Sequence, residues 1–288
     1  MRKDELAMPH FGIYTNLQKD PELITTKAVI EQLEKRGCSY SLDREVAAAL
    51  GREEAEKNID ILFVLGGDGT ILAAARKYAK KGALLFGINL GRLGFLLDTQ
   101  LAELEGALDQ ILAGDYKVQE RIMLEASVFS QDGQKKRFLG YALNEAVISK
   151  RDILRIIDAR VLVNEKKVGD FRCDGVIIST PTGSTGYSLS AGGPVVEPTA
   201  DMLLITPICP HSLQSNSYVL SGEERVSVLI RRGGEKGAVT LDGQEHFEFS
   251  PDEYICLTRS KIKAKFLKTS DQNFFALLEE KFAEWSAK

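Results

Sequence analysis

Leu65-Gly66-Gly67-Asp68-Gly69-Thr70 sets three glycines and a carboxylate between an apolar run, 59–64, and a helix-like segment that starts at Ile71. Backbone N–H groups at the start of a helix bind anions, and glycine lets a phosphate approach the main chain closely. Each N–H bond to an anionic oxygen is worth about 1.5–3 kcal/mol. The stretch is not a Walker A loop, because the Lys-Ser/Thr pair is absent. A carboxylate would repel a phosphate here unless it has another task. Asp68 has two open to it. It caps the following helix, or it takes a proton from a hydroxyl nucleophile or helps hold a metal near phosphates. The turn alone does not decide between them.

A second stretch is as unusual. Ser179-Thr180-Pro181-Thr182-Gly183-Ser184-Thr185-Gly186-Tyr187-Ser188-Leu189-Ser190-Ala191-Gly192-Gly193-Pro194 follows the apolar run Val176-Ile177-Ile178. Hydroxyls and free N–H groups suit phosphate and ribose oxygens, and Tyr187 offers a ring on which a base can stack. Apolar strands on both sides argue against a flexible Ser/Gly linker. Other polar groups stand singly beside strands. Asn144-Glu145 ends the run 139–143, Arg172 and Asp174 bracket Cys173, and Gln244 follows the Asp242-Gly243 turn. Taken one at a time, these read as turn or surface residues. His10, His211 and His246 are too scattered for a triad or a metal site.

Positioning such residues requires a scaffold, and the first part of the chain supplies strand and helix patterns in alternation. Strand-like runs at 11–14, 59–65 and 83–89 alternate with helix-like periods at 21–36, 70–80 and 101–112. That order predicts βαβ units and a mainly parallel sheet. Beyond 118–123 the pattern becomes short alternating strands, with turns at Asp132-Gly133, Asn164-Glu165-Lys166 and Asp242-Gly243. A closing helix over 273–285 would put Phe274, Leu278, Phe282 and Trp285 on one face.

The 288-residue chain carries a net charge of −4, so it has no global basic field for non-specific nucleic-acid binding. Cys38, Cys173, Cys209 and Cys256 form no CxxC pair and read as buried, reduced thiols. The N-terminus leads into no apolar signal segment, and no apolar run is long enough to span a membrane. A cytoplasmic protein is the default expectation. An amphipathic segment with a basic face, which would suit a lipid substrate, is missing too.

Together, Gly66-Gly67-Asp68-Gly69-Thr70, Asn144-Glu145, Phe171-Arg172-Cys173-Asp174-Gly175 and the Pro181–Pro194 block closely resemble the NAD kinase (ATP-NAD kinase) family in order and spacing, from Phe11 to the C-terminus. Phosphofructokinases, diacylglycerol kinases and sphingosine kinases carry similar glycine-aspartate motifs, so the block from Thr182 onward discriminates. The resemblance implies an α/β domain with a parallel, Rossmann-like sheet over 1–122. A β-rich, β-sandwich-like NAD-binding domain would follow over 123–268, and a C-terminal helix within 269–288 would return to the first domain. It implies phosphorylation of the adenosine-ribose 2′-hydroxyl of NAD by ATP, with Mg²⁺ or another divalent ion. Asp68 would be the general base. Gly66, Gly67, Gly69 and Thr70 would take phosphate, and Asn144 and Glu145 would hold adenosine. Arg155, Arg172, Asp174, Thr185, Gly186, Tyr187, Ser188, Leu189, Ser190 and Gln244 would line the dinucleotide site. The family also implies a homo-oligomer, a tetramer or dimer, with no nucleic-acid or membrane partner. The alternatives are a lipid or sugar kinase sharing the glycine-aspartate motif, or a non-catalytic dinucleotide sensor.

Overall fold

The computed structural model describes residues 8–52, 58–91, 94–97, 99–150, 156–211, 216–231, 236–271 and 273–286. Two units emerge: 1–120 with 264–288, and 121–263.

The first unit begins with β1 (Phe11–Thr15), α1 (Ile24–Lys35), β2 (Tyr40–Leu42), α2 (Arg44–Ala49), β3 (Ile61–Gly66), α3 (Asp68–Tyr78), β4 (Leu84–Asn89), β5 (Thr99–Gln100) and α4 (Leu104–Ala113). Its strands pair in parallel in the order β4-β3-β1-β2, and β5 joins the end of β4. All six residues of β3 are buried. A parallel strand covered on both faces needs apolar side chains on both, which explains a run with no alternation. Phe11, Phe63 and Phe86 link the three central strands, with successive ring centroids 5.2 Å apart. Val29, Ile30 and Leu33 of α1 and Leu104, Leu108 and Ile111 of α4 complete that core. From β1 the chain runs to β2 on one side, while β3 and β4 lie on the other. The carboxyl ends of β1 and β3 therefore flank the switch point of the sheet, where open α/β sheets bind ligands.

The second unit is built from most of β6 (Lys117–Ser130), β7 (Lys135–Ala142), β8 (Glu145–Lys150), β9 (Ile157–Val163), β10 (Lys166–Cys173), β11 (Gly175–Ser179), the single turn α5 (Tyr187–Ser190), β12 (Met202–Ile208), β13 (Tyr218–Ser221), β14 (Val226–Ile230), β15 (Gly237–Leu241), β16 (Glu245–Phe249) and most of β17 (Glu253–Lys268). One antiparallel sheet has the order β13-β12-β11-β8-β15-β16. The other runs β10-β9-β14-β17, with β6 and β7 alongside. Ile148, Ile178 and Ile205 of the first sheet and Val161, Val228 and Leu257 of the second are fully buried in one shared core. This is a β-sandwich.

Lys265 and Phe266, near the end of β17, lie in the first unit and pair in parallel with Leu84 and Leu85 of β4. α6 (Phe274–Ser286) follows in the same unit. Its inward face differs from the expected one. Leu277 and Lys281 are buried, Phe274 and Leu278 are half-buried, and Phe282 is exposed. Positions 274, 277, 278 and 281 form an i, i+3, i+4, i+7 stripe, and residue 282 lies about 100° further round the helix. The Trp285 side chain lies outside the described residues.

Candidate active site

The glycine turn takes shape at the end of β3. Gly67 is the N-cap of α3, with extended backbone, and its N–H donates to Thr70 Oγ1 at 3.2 Å. A Cβ on Gly66 would run into the Thr70 side chain, so no larger residue fits this corner. Asp68 is the first residue of α3 and not its cap. Its carboxylate reaches across to the segment after β4, where it accepts the Phe95 N–H at 2.9 Å and the Leu96 N–H at 3.2 Å. A Cβ on Gly94 would strike that carboxylate. Helix capping, one of the two tasks the sequence left open, is therefore not what Asp68 does. Instead, its half-buried carboxylate is locked in one place beside the glycine turn. A negative charge in the first turn also suits the dipole of α3. Gly69 is exposed and Thr70 is buried.

In the second unit, Asn144 and Glu145 sit where β7 gives way to β8. Asp242 clasps this corner: its carboxylate accepts the N–H groups of Leu143 (3.1 Å), Asn144 (2.8 Å) and Glu145 (3.2 Å). From the other side the Thr180 N–H donates to the Asn144 carbonyl at 2.9 Å. The Thr180 hydroxyl donates to the Leu143 carbonyl at 2.5 Å. A Cβ on Gly183 would collide with the Asn144 carbonyl, so the hydroxyl-rich segment can lie this close only because residue 183 is glycine.

Several buried polar atoms around this corner find no partner among the described residues: Asn144 Oδ1, Glu145 Oε2, Ser179 Oγ and Thr182 Oγ1. Ser179 and Glu145 are directly opposed across β11 and β8. Leaving such a group unpaired costs about 1–3 kcal/mol, so water or a polar ligand would be favoured at this corner. Burial, reinforced by the charge of Asp242, pushes the Glu145 carboxyl from 4.5 up to about 8. At neutral pH it is mostly protonated and can donate a hydrogen bond.

The hydroxyl-rich stretch is not a loop throughout. Residues Thr182–Thr185 form a 3₁₀ turn that leads into α5. Its hydroxyls divide into two groups. Ser184 Oγ bonds the N–H and carbonyl of Val196 at 3.0 and 3.1 Å, and Ser188 Oγ pairs with Thr206 Oγ1 at 3.0 Å. These two hold the segment onto the sandwich. Tyr187 is 46% exposed, Ser190 is exposed, and Thr185, Gly186 and Leu189 are half-buried. The Gly186 Cα points toward the Glu145 corner, where an added Cβ would sit 3.1 Å from Glu145 Oε2.

Arg172 and Asp174 lie on either side of the buried Cys173 and are both exposed. Their main chains are fixed: Asp174 N–H donates to Ile208 O at 3.0 Å, and His211 N–H to Arg172 O at 2.8 Å. Gln244 is exposed at the tip of a turn in which Asp242 and Gly243 both have positive φ, 50° and 67°. Arg155 lies outside the described residues. Sequence reading missed the clasp by Asp242, which registered only as a turn residue, and the close approach of Gly94 to Asp68. The cysteines are free thiols, three of them buried; Cys209, at φ 45° just past the end of β12, is exposed, contrary to expectation.

Residues 16–116 match the model of the ATP-NAD kinase N-terminal domain, and residues 143–269 match that of the ATP-NAD kinase C-terminal domain. The chain belongs to the ATP-NAD kinase family. An NAD kinase of Desulforamulus reducens is 38% identical over 96% of this chain and 98% of its own length. An NAD kinase of Caldanaerobacter subterraneus subsp. tengcongensis is 39% identical over 96% of this chain and all of its own. Among solved structures, an Archaeoglobus fulgidus NAD kinase in complex with ATP superposes with a TM-score of 0.73 at 28% identity, covering 94% of this chain and 98% of that one. A yeast NADH kinase complexed with NADH gives 0.84, covering 97% and 89%; at 20% identity it speaks for the fold alone. Within the ATP-NAD kinase family, the glycine turn of the first unit and the Glu145 corner of the second fall inside the two matched domains.

Among the described residues, no three or more His, Cys, Asp or Glu come together as a metal cage. No described helix is long and apolar enough to cross a membrane.

Proposed function

We propose that this chain transfers the γ-phosphoryl group of ATP to the 2′-hydroxyl of the adenosine ribose of NAD, giving NADP and ADP. Membership of the ATP-NAD kinase family supports the reaction. One observation carries the assignment of residues: Asp68 opens a helix beside a glycine turn, yet its carboxylate is fixed by the Phe95 and Leu96 amides and not by its own helix.

A ribose hydroxyl is a poor nucleophile while it keeps its proton. Asp68 accepts that proton as the new O–P bond forms, and the bond from the γ-phosphorus to the bridging oxygen breaks as ADP leaves. The turn of Gly66, Gly67, Gly69 and Thr70, at the positive end of α3, holds the phosphates. The partnerless atoms of Asn144, Glu145, Ser179 and Thr182 receive the adenosine, and Tyr187 stacks on its base. Thr185, Gly186, Ser188, Leu189 and Ser190 shape that pocket, while Arg155, Arg172, Asp174 and Gln244 serve the rest of the dinucleotide.

Mg²⁺ held mainly by phosphates needs only one or two protein carboxylates, so the lack of a cage among the described residues fits an ion that arrives with the nucleotide. When bound, it would neutralise charge on the phosphates. The family reading adds a homo-oligomer, a tetramer or dimer, and free thiols suit the reducing cytoplasm.

Incubation of the purified protein with ATP, Mg²⁺ and NAD, followed by an assay specific for NADP, tests the reaction. NADP formation is the expected result. Tight NAD binding without NADP would favour a dinucleotide sensor instead.

A further inference from the structure

The loop that leaves β1 is anchored at both ends. The Asn16 N–H donates to the Leu65 carbonyl at 2.9 Å, tying the loop to β3. Its side chain reaches Thr70 Oγ1 at 3.4 Å and accepts the Gln18 N–H at 3.0 Å. The Lys19 N–H closes on the Asn16 carbonyl at 3.0 Å. On the far side Asp20 is committed to the start of α1, where its carboxylate accepts the N–H groups of Thr25 (3.2 Å) and Thr26 (2.8 Å) and the Thr26 hydroxyl (2.7 Å).

Between these anchors the Lys19 side chain extends over the glycine turn. Its Nζ lies 2.5 Å from where a Cβ on Gly67 would stand and 3.9 Å from the same point on Gly91. Gly67 caps α3. Gly91 follows β4 in a turn closed by Asn89, whose Oδ1 accepts the Gly91 N–H at 3.1 Å and whose Nδ2 donates to the Gly91 carbonyl at 3.0 Å. The ammonium thus stands at the carboxyl ends of β1, β3 and β4, at the switch point of the sheet.

This position is electrostatically awkward. The N-terminal end of a helix is positive, and a cation placed there is repelled unless an anion lies between them. Lys19 is exposed, and no hydrogen bond or ion pair links its ammonium to another described residue. Elsewhere in the unit some lysines pair with carboxylates, as Lys35 does with Glu31 and Lys117 with Asp271, while Lys27 donates to the Glu22 carbonyl. The nearest acid in sequence, Asp20, is already occupied.

We propose that Lys19 binds the phosphate chain of the phosphoryl donor, holding it between its ammonium and the turn of Gly66 and Gly67. The proposal rests on the reading of that turn as the phosphoryl-transfer site. Glycine at 67 and 91 leaves the space that a phosphate group would share with the lysine tip, and the pinned loop presents the charge without a large loss of backbone entropy on binding.

The test compares the full-length protein with Lys19→Gln and Lys19→Arg. Calorimetry with inorganic tripolyphosphate reads the phosphate contact without a nucleoside, and steady-state assays read KM for ATP and for NAD separately. Lys19→Gln is expected to lose about tenfold or more in tripolyphosphate affinity and to raise KM for ATP by a similar factor, the scale of one charge-assisted hydrogen bond. KM for NAD should stay within about twofold, and Lys19→Arg should keep most of the phosphate affinity. Equal tripolyphosphate binding by the wild type and Lys19→Gln would overturn the proposal, as would an equal rise in KM for both substrates. If the wild type forms no NADP, the proposed reaction fails, while the tripolyphosphate comparison still decides the role of Lys19.

Discussion

Asp242 and Glu145 hold each other by the backbone: Asp242 Oδ1 accepts the Glu145 N–H at 3.2 Å, and the Asp242 N–H donates to the Glu145 carbonyl at 2.9 Å. The clasp sets the Asp242 charge beside a buried carboxyl whose Oε2 has no partner among the described residues. Burial first and that charge second raise the Glu145 pKa to about 8.

Stability should therefore depend on pH in a defined direction. Glu145 titrates near 4.5 when exposed and near 8 when folded, so the folded state holds an extra proton between those values. The favourable contribution is complete below the lower value and is lost as pH rises through the upper one. Urea midpoints of the wild type should fall between about pH 4.5 and pH 8, and Glu145→Gln, which cannot ionise, should flatten that fall. Parallel pH profiles for the two proteins would contradict the assignment.

Asp68→Asn and Asp68→Ala separate chemistry from anchoring. The amide oxygen of Asn can still accept one of the two N–H groups now held by the carboxylate. Asp68→Asn should keep NAD affinity nearly intact and lower turnover by roughly 10²–10⁴. Asp68→Ala should lose the same turnover and also about 1–3 kcal/mol of stability, because the Phe95 and Leu96 amides lose their acceptor. Single-turnover kinetics and denaturant melts check both. Normal turnover in the Asn variant would exclude Asp68 as the base.

Two glycines predict opposite effects of alanine. A methyl at Gly183 would press into the Asn144 carbonyl. Gly183→Ala should cost about 1–3 kcal/mol and weaken NAD binding. Gly106 lies inside α4 with nothing within 4 Å of an added Cβ. Gly106→Ala should stabilise the protein by about 0.5–1 kcal/mol through helix propensity, with activity unchanged. Thermal melts of the pair should move in opposite directions.

Tyr187 is 46% exposed and its ring makes no aromatic contact among the described residues, so truncating it should barely change stability. Tyr187→Ala should nonetheless weaken NAD binding by about 1–3 kcal/mol if the ring stacks on the adenine base. Calorimetry with NAD reads this directly, and unchanged affinity would refute the stacking role.

Local patterns carried much of the reading. The unbroken apolar run of β3 and the glycines after it marked a strand-to-helix turn, because burial on both faces and a crowded backbone leave direct traces in residue type. The block from Thr182 to Pro194 named the family, since few folds place so many hydroxyls and glycines after a buried strand. Short elements such as β2 and α2 were not read, because three to six residues carry too little periodicity.

By itself, then, the sequence determined the α/β and β-rich halves, the glycine-aspartate turn and the family. Tertiary structure alone decided what the side chains at those positions do. Asp68 was separated from helix capping by two amides 27 and 28 residues further along the chain. Glu145 acquired its raised pKa first from burial that no local window records, and second from a carboxylate 97 residues away in sequence. Among the hydroxyls of one short segment, Ser184 and Ser188 turned to the fold while the Thr182 hydroxyl met no partner among the described residues. Hydrogen bonds and desolvation depend on which distant groups meet in space, and residue type fixes only what each group can offer when they do.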